Sequence, residues 1–304
     1  MRGGIGRGKF ASVILNEVKD LDVTKSRFFA TLRMTIIHRR RVVIPRLFYS
    51  FKNCNLTFFA LIFKMTQILF FLGAFLAEIA GTMVGFGSST IFLPYALFFY
   101  DFKTALVLVA IFHIFGNLGR IGFFREGINK KLIVWFGLPS VILTLIGAFL
   151  VNYISPALLK FILGIFLLLF SLVSFIKPNL TFPASTKTAL WGGGLSGFLA
   201  GLIGTGGVLR GAFLTAFNLP KTIYIATAAA IALAVDLTRL PVYFASGFLD
   251  KKFYLFIPIL FLTAIFGTYV GRKIVNKIPQ KLFRRMVLLA IALVSLKFIL
   301  ESFL

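Results

Sequence analysis

Residues 81–97 read GTMVGFGSSTIFLPYAL, and residues 197–220 read GFLAGLIGTGGVLRGAFLTAFNLP. In each, glycines interrupt an apolar run: Gly85 and Gly87 ahead of Ser88 and Ser89 in the first, and Gly204, Thr205, Gly206 and Gly207 in the second. Glycine weakens a helix and accepts the backbone of a sharp turn. The apolar pieces that follow, 88–100 and 206–217, are too short to cross a hydrocarbon core, which takes about 20 helical residues at 1.5 Å each. Each piece therefore reads as the second limb of a broken helix or re-entrant hairpin. Irregular backbone at that depth survives only where protein buries it or where it lines a cavity.

Outward from these turns, further apolar segments fall at about 66–84, 101–124, 132–151, 155–176, 188–204, 220–246, 253–272 and 281–302. The chain is 59% hydrophobic and only 14% charged, against about 45–50% apolar and about 25% charged in soluble domains. Lipid is thus the expected solvent, and the expected fold is an all-α integral membrane protein. One cysteine, Cys54, makes no internal disulfide, and two histidines, His38 and His113, do not assemble a Cys/His metal site. No metal and no cofactor is expected. The sequence has no G-x-x-x-x-G-K-[ST] loop, no H-E-x-x-H and no Ser, His and acid set in a plausible shared pocket, so no enzyme is expected. Most of the 39 phenylalanines lie in spans that water does not reach and make no base-stacking platform; no nucleic acid partner follows from them.

Setting one glycine turn on the other exposes an internal repeat with an offset of about 119 residues. Gly85 and Gly87 fall on Gly204 and Gly206, Asn117-Leu118-Gly119-Arg120 on Asp236-Leu237-Thr238-Arg239, and Pro139 on Pro258. With small gaps, Lys130-Lys131 pairs with Lys251-Lys252, Gly147 with Gly267 and Pro156 with Pro279. Two related transmembrane repeats are expected, 65–180 and 185–304, each with a glycine-broken helix hairpin. Arg125, Lys130 and Lys131 mark one basic loop, and Arg272, Lys273, Lys277, Lys281, Arg284 and Arg285 another. Both lie on the cytoplasmic side if each half crosses an odd number of times. That makes the repeat inverted and both termini external; Lys251-Lys252 counts against it. The net charge is +24, of which residues 1–64 carry 13 Lys/Arg against Glu17, Asp20 and Asp22. This basic N-terminal extension has three readings: a disordered tail, translation from upstream of a working start at Met65, or an arm that binds lipid or nucleic acid.

Arginine in a spanning segment costs about 2.5–3.5 kcal/mol at the centre on insertion scales, and Arg120 and Arg239 recur at equivalent places. They read as anion contacts, as snorkelling side chains, or as structural ion pairs such as Arg239 with Asp236. A broken helix exposes backbone N–H groups and the positive end of a dipole, which favour a bound anion. Gly85, Gly87, Ser88, Ser89, Gly204, Thr205, Gly206 and Gly207 are therefore candidate substrate contacts, with close helix packing as the alternative. Arg210, three residues past Gly207, faces the same cavity if the limb is helical, and its counterpart in the first half is apolar. Asp236, His113 and Glu78 are candidate proton or cation carriers, or interhelical hydrogen-bonding groups.

The stretches quoted at the outset, together with residues 222–239, resemble the sulfite exporter TauE/SafE family over about 66–302. The resemblance implies a multi-pass permease of the bacterial inner membrane that moves a small anion, sulfite or an organosulfonate, by alternating access. This chain departs from the pattern at Gly87-Ser88-Ser89, where glycines usually run together, and at Arg210-Gly211-Ala212, where proline is common. The expected partners are a small anionic substrate and the bilayer, with a homodimer left open. An anion channel and a non-transporting, partner-binding membrane protein are the alternatives.

Overall fold

The computed structural model describes residues 65–83, 87–177, 180, 182–274 and 280–301. All of these belong to the unit Lys64–Leu304, separate from Met1–Phe63. The extension 1–64 and Gly85 lie outside the described residues.

Among the described residues, six helices are long and apolar enough to cross a membrane: α1 (Met65–Met83), α3 (Phe102–Phe123), α4 (Lys130–Leu150), α5 (Pro156–Ile176), α8 (Lys221–Ala245) and α9 (Phe256–Ile274). Between and after them lie α2 (Ser89–Ala96), α6 (Thr186–Ile203), α7 (Gly207–Leu214) and α10 (Gln280–Leu300). No strand occurs among the described residues. Local chemistry sets several boundaries. The Asp101 carboxylate accepts from the Lys103 and Thr104 amides to start α3, and Ser155 and Ser185 cap α5 and α6 in the same manner. A π turn at Ile133–Gly137 sits in α4 just ahead of Pro139, which supplies no N–H to the ladder.

Both glycine stretches break their helices. α1 ends at Met83 and α2 starts at Ser89, with Gly87 at φ +85° between them. α6 ends at Ile203, and Gly204 at φ +75° occupies the left-handed region that other side chains avoid. Each short limb then doubles back. Tyr95 of α2 reaches α1, its hydroxyl donating to the Leu69 carbonyl at 2.7 Å. On α7, Phe213 lies beside Gly192 of α6.

Lipid tails give apolar helices no solvent-driven reason to associate, so close contact and hydrogen bonds must hold the bundle. Gly193, Gly197 and Gly201 form a small-residue ladder on α6 that touches the backbone of α4 at Phe136, Ser140 and Thr144. A side chain at any of them would overlap a carbonyl. Thr144 Oγ1 lies 2.6 Å from the Ser140 carbonyl and 2.9 Å from that of Gly197, so one hydroxyl bridges both helices. The same contact is made reciprocally: Gly147 of α4 lies on α6 at Phe198, and Gly267 of α9 lies on α1 at Phe75 and Glu78. α3 packs on α8 and α9, and α5 on α10. A core of Phe70, Phe92, Phe112, Leu93, Leu106 and their neighbours fills the interior, whereas Phe149, Leu169, Leu262 and Leu293 face outward, as lipid-facing residues do.

The helix ends sort into two groups. At one, Thr222 Oγ1 donates to the Glu126 carboxylate and Arg272 lies over the Phe124 ring. At the other, Thr104 Oγ1 donates to the Phe248 carbonyl at 3.4 Å and Tyr100 meets Phe253 edge-on.

Candidate functional site

The two broken hairpins meet inside the bundle: Thr90 Oγ1 at the start of α2 lies 2.9 Å from Thr205 Oγ1 in the second break. One arginine secures each break. Arg120 of α3 donates from Nη2 to Glu78 Oε1 at 2.5 Å, from Nε to Thr82 Oγ1 at 3.3 Å, and from Nη2 to Ser88 Oγ at 3.4 Å. It thereby ties the end of α1 to the residue that precedes α2. Its Nη1 also donates to Asn117 Oδ1 at 2.8 Å, and Thr268 of α9 donates to the same Glu78 oxygen at 2.8 Å. Arg239 of α8 donates from Nε to Asp236 Oδ1 at 3.0 Å, with Nη2 in an ion-pair contact 2.8 Å from the same oxygen, and donates from Nη1 to the Ala200 carbonyl at 2.8 Å. Tyr243 adds a bond to the Gly201 carbonyl at 2.5 Å. Two of the carbonyls that the break of α6 leaves without intrahelical donors are satisfied in this way. Arg120 and Arg239 are buried, so neither snorkels.

Asp236 is the hub of the second cluster. His113 Nδ1 lies 2.7 Å from Asp236 Oδ2, and Asn117 Nδ2 donates to the same oxygen at 3.2 Å. With Nδ1 donating to the carboxylate, the neutral ring carries its lone pair on Nε2. That atom is buried and has no hydrogen-bond partner among the described residues. A methyl placed on Gly87 would lie 2.9 Å from His113 Nε2 and 3.5 Å from Arg210 Nη2, so both side chains converge on the glycine.

Arg210 differs from the other two arginines. It is 5% exposed, and among the described residues its side chain makes no ion pair or hydrogen bond. It borders a cavity lined also by Gly81, Thr82, Gly87, Asn117 and Arg120, with Ile225, Ala228 and Ala229 of α8 as the apolar wall. The cavity measures about 20 Å³, room for about one water. A wider recess of about 650 Å³ lies at the basic end between Phe124, Arg125, Glu126, Thr222 and Arg272. Ile225 of the cavity wall packs with Phe124 of the recess and with Ala226.

Of the residues singled out in the sequence, Gly87, Arg120 and Arg210 border the cavity, and His113 Nε2 lies against one of them, Gly87. Ser88 is bonded to Arg120, and Ser89 is buried at the first turn of α2. Gly204 faces Leu93 and Leu106, Gly206 lies against the Ser196 carbonyl, and Gly207 begins α7. Thr205 holds Thr90, while Glu78 and Asp236 hold arginines. Thr82, Thr268 and Asn117 were not singled out as site residues. Asn117, a carboxamide inside an apolar 22-residue helix, carried a usable signal. Thr82 and Thr268 did not, because threonine hydroxyls commonly satisfy their own helix. Among the described residues no group of His, Cys, Asp and Glu is placed to hold a metal ion.

A small cavity bordered by two buried arginines between two broken hairpins, in a protein of at least six apolar spans, is transporter architecture. The comparisons agree: the family model described as sulfite exporter TauE/SafE matches residues 70–298, and the chain belongs to that family. A probable membrane transporter protein of Methanocaldococcus jannaschii is 27% identical over 247 residues, covering 74% of this chain and 92% of the relative. No solved structure matches the chain. The protein is thus a multi-pass membrane protein of a transporter family.

Proposed function

We propose that the protein is an inner-membrane permease for a small anion, sulfite or an organosulfonate, working by alternating access between two inverted repeats. The observation that carries this reading is Arg210: a guanidinium buried beside a cavity that Arg120 also borders, with no counter-charge paired to it among the described residues. An uncompensated buried cation is costly, and an anion is the ligand that removes the cost. Arg120 adds a second positive edge to the cavity, while Arg239 acts at one remove by holding the break in α6. Donors at Gly87, Ser88 and Ser89 lie near that edge, and Gly204, Thr205, Gly206 and Gly207 set the opposing hairpin.

Several features favour the inverted repeat. Equivalent residues Asn117 and Asp236 touch each other, as they must near a two-fold axis. The third long helix of each half packs on the first helix of the other. Each hairpin returns to the end it came from, so α3, α4 and α5 give the first half three net crossings and the second half starts from the opposite end. Arg125, Lys130, Lys131, Lys221, Arg272 and Lys273 then share one end, the cytoplasmic one by the positive-inside rule. Lys251 and Lys252 fall at the other end, where Asp250 pairs with Lys252. The cavity has room for about one water and must widen to take an oxyanion, a change of shape that a carrier makes in each cycle. Phe124, Ile225 and Ala226 are the apolar barrier toward the basic recess.

The test is uptake of labelled sulfite and methanesulfonate into proteoliposomes. Wild-type protein is expected to give saturable flux, and Arg210→Gln to lose it while remaining folded. Flux unchanged by that substitution would remove the anion site.

A further inference from the structure

Resting on the anion site just proposed, we infer that His113 Nε2 and Arg210 clamp one oxyanion between them. His113 takes up one proton from bulk water when the anion is doubly charged, and none when it is singly charged.

The inference starts from a charge count in a closed space. The groups around His113 are Asp236 and Arg239 on α8, Arg210 on α7, Glu78 on α1 and Arg120 on its own helix, all buried. Glu78 is matched by Arg120 and Asp236 by Arg239. Arg210 is left over, so with a neutral imidazole the empty site holds one excess positive charge. A singly charged anion cancels it. A doubly charged anion leaves a net negative charge buried in lipid-facing protein, which is strongly disfavoured without a further cation.

The residue placed to supply that cation is His113. Its Nδ1 is held on Asp236 at 2.7 Å, which fixes the ring's orientation and leaves Nε2 pointing at Gly87 without a partner. Nε2 and Arg210 Nη2 lie on the same side of that glycine, where a side chain would fill the gap between them. In its neutral form Nε2 offers only a lone pair, which repels an anion oxygen. Once protonated it offers an N–H, and the ring is then a cation hydrogen-bonded to anion and carboxylate at once. The bond formed is N–H on Nε2, the proton is drawn from water, and it returns to water when the anion leaves. Asp236 and Asn117 are positioning residues in this scheme.

The probes are sodium sulfate, doubly charged, and sodium methanesulfonate, singly charged and similar in shape. Binding to the purified full chain is followed by calorimetry between pH 6 and 8 in buffers of different ionisation heat. Sulfate is expected to bind with uptake of close to one proton and an affinity that falls about tenfold per pH unit, the slope linkage sets for one proton. Methanesulfonate is expected to bind with no uptake and no slope. His113→Asn, which can still donate to Asp236, is expected to abolish the sulfate uptake and slope; His113→Gln serves if the first variant is unstable by thermal melt. Sulfate binding without proton uptake in wild type, or uptake that persists in a folded His113 variant, overturns the inference. Binding of both anions with no uptake sinks the proton coupling alone, whereas failure of wild type to bind either anion sinks the anion site with it.

Discussion

Replacing Arg210 by glutamine is expected to raise the protein's melting temperature while it removes anion binding, the reverse of what replacing Arg239 does. Arg239 is 1% exposed, pairs with Asp236 at 2.8 Å, and makes hydrogen bonds of 3.0 Å to Asp236 and 2.8 Å to the Ala200 carbonyl. Its loss strands a buried carboxylate and a helix-end carbonyl. Breaking a buried pair from one side costs about 3–5 kcal/mol. Arg210 is equally enclosed but, among the described residues, has no hydrogen-bond or ion-pair partner to strand. Its removal relieves a desolvated charge and is expected to gain about 1–3 kcal/mol, a stability held down for function. At about 2–4 °C per kcal/mol for folds of this size, Arg210→Gln should melt roughly 2–12 °C higher and Arg239→Gln roughly 6–20 °C lower. The assay is thermal unfolding in detergent followed by the fluorescence of Trp135 and Trp191. The anion-site reasoning is refuted if Arg210→Gln melts as far below wild type as Arg239→Gln does.

Glu78→Gln is expected to lower stability by about 3–5 kcal/mol, and combining it with Arg120→Met should cost less than the two changes added, since the pair is buried and bonded at 2.5 Å; a double-mutant cycle of melting curves measures the coupling. Gly197→Leu places a branched side chain against the Ser140 backbone, and monodisperse protein on size exclusion should be lost. Thr90→Val and Thr205→Val each remove one side of the bond between hairpins, at about 1 kcal/mol; the second change made on top of the first should cost almost nothing, and equal additive losses would argue against a direct bond. Single cysteines introduced at Asn129 and Tyr153, with Cys54→Ser, should label from opposite sides of the membrane in sealed cells. Labelling from one side alone contradicts the three net crossings assigned to the first half.

Much of the fold was legible because lipid imposes a strong grammar on sequence. Run length gave the long spans, and glycine in runs too short to cross gave the two interruptions, now seen at Gly87 and Gly204. Arg120, Arg239 and Arg210 stood out for the same reason, since charge in an apolar run has no trivial place. What each arginine holds was not legible. Glu78 and Arg120 are 42 residues apart, and Thr268 joins them from 190 residues away, a proximity that only the packing of α9 on α1 creates. The distinction between the satisfied arginines and Arg210 is likewise a fact of three-dimensional neighbours. The wall of the cavity, Ile225, Ala228 and Ala229, consists of residues that any buried helix uses, so no sequence signal marks it. Glycines such as Gly193 and Gly197 suggest close packing from sequence alone, but only the structure shows that the backbone of α4 is what lies against them.

The exchange of first helices between the halves has a consequence for biosynthesis. Glu78 emerges from the ribosome long before Gly267, the residue against which its side chain finally rests. At about 5–20 residues per second the gap is roughly 10–40 s, during which α1 sits in the bilayer with one flank open to whatever else the insertion machinery holds. A nascent first half is therefore a natural client for a membrane chaperone, and a gene split between Lys177 and Ser185 should yield working protein only when both fragments are made together.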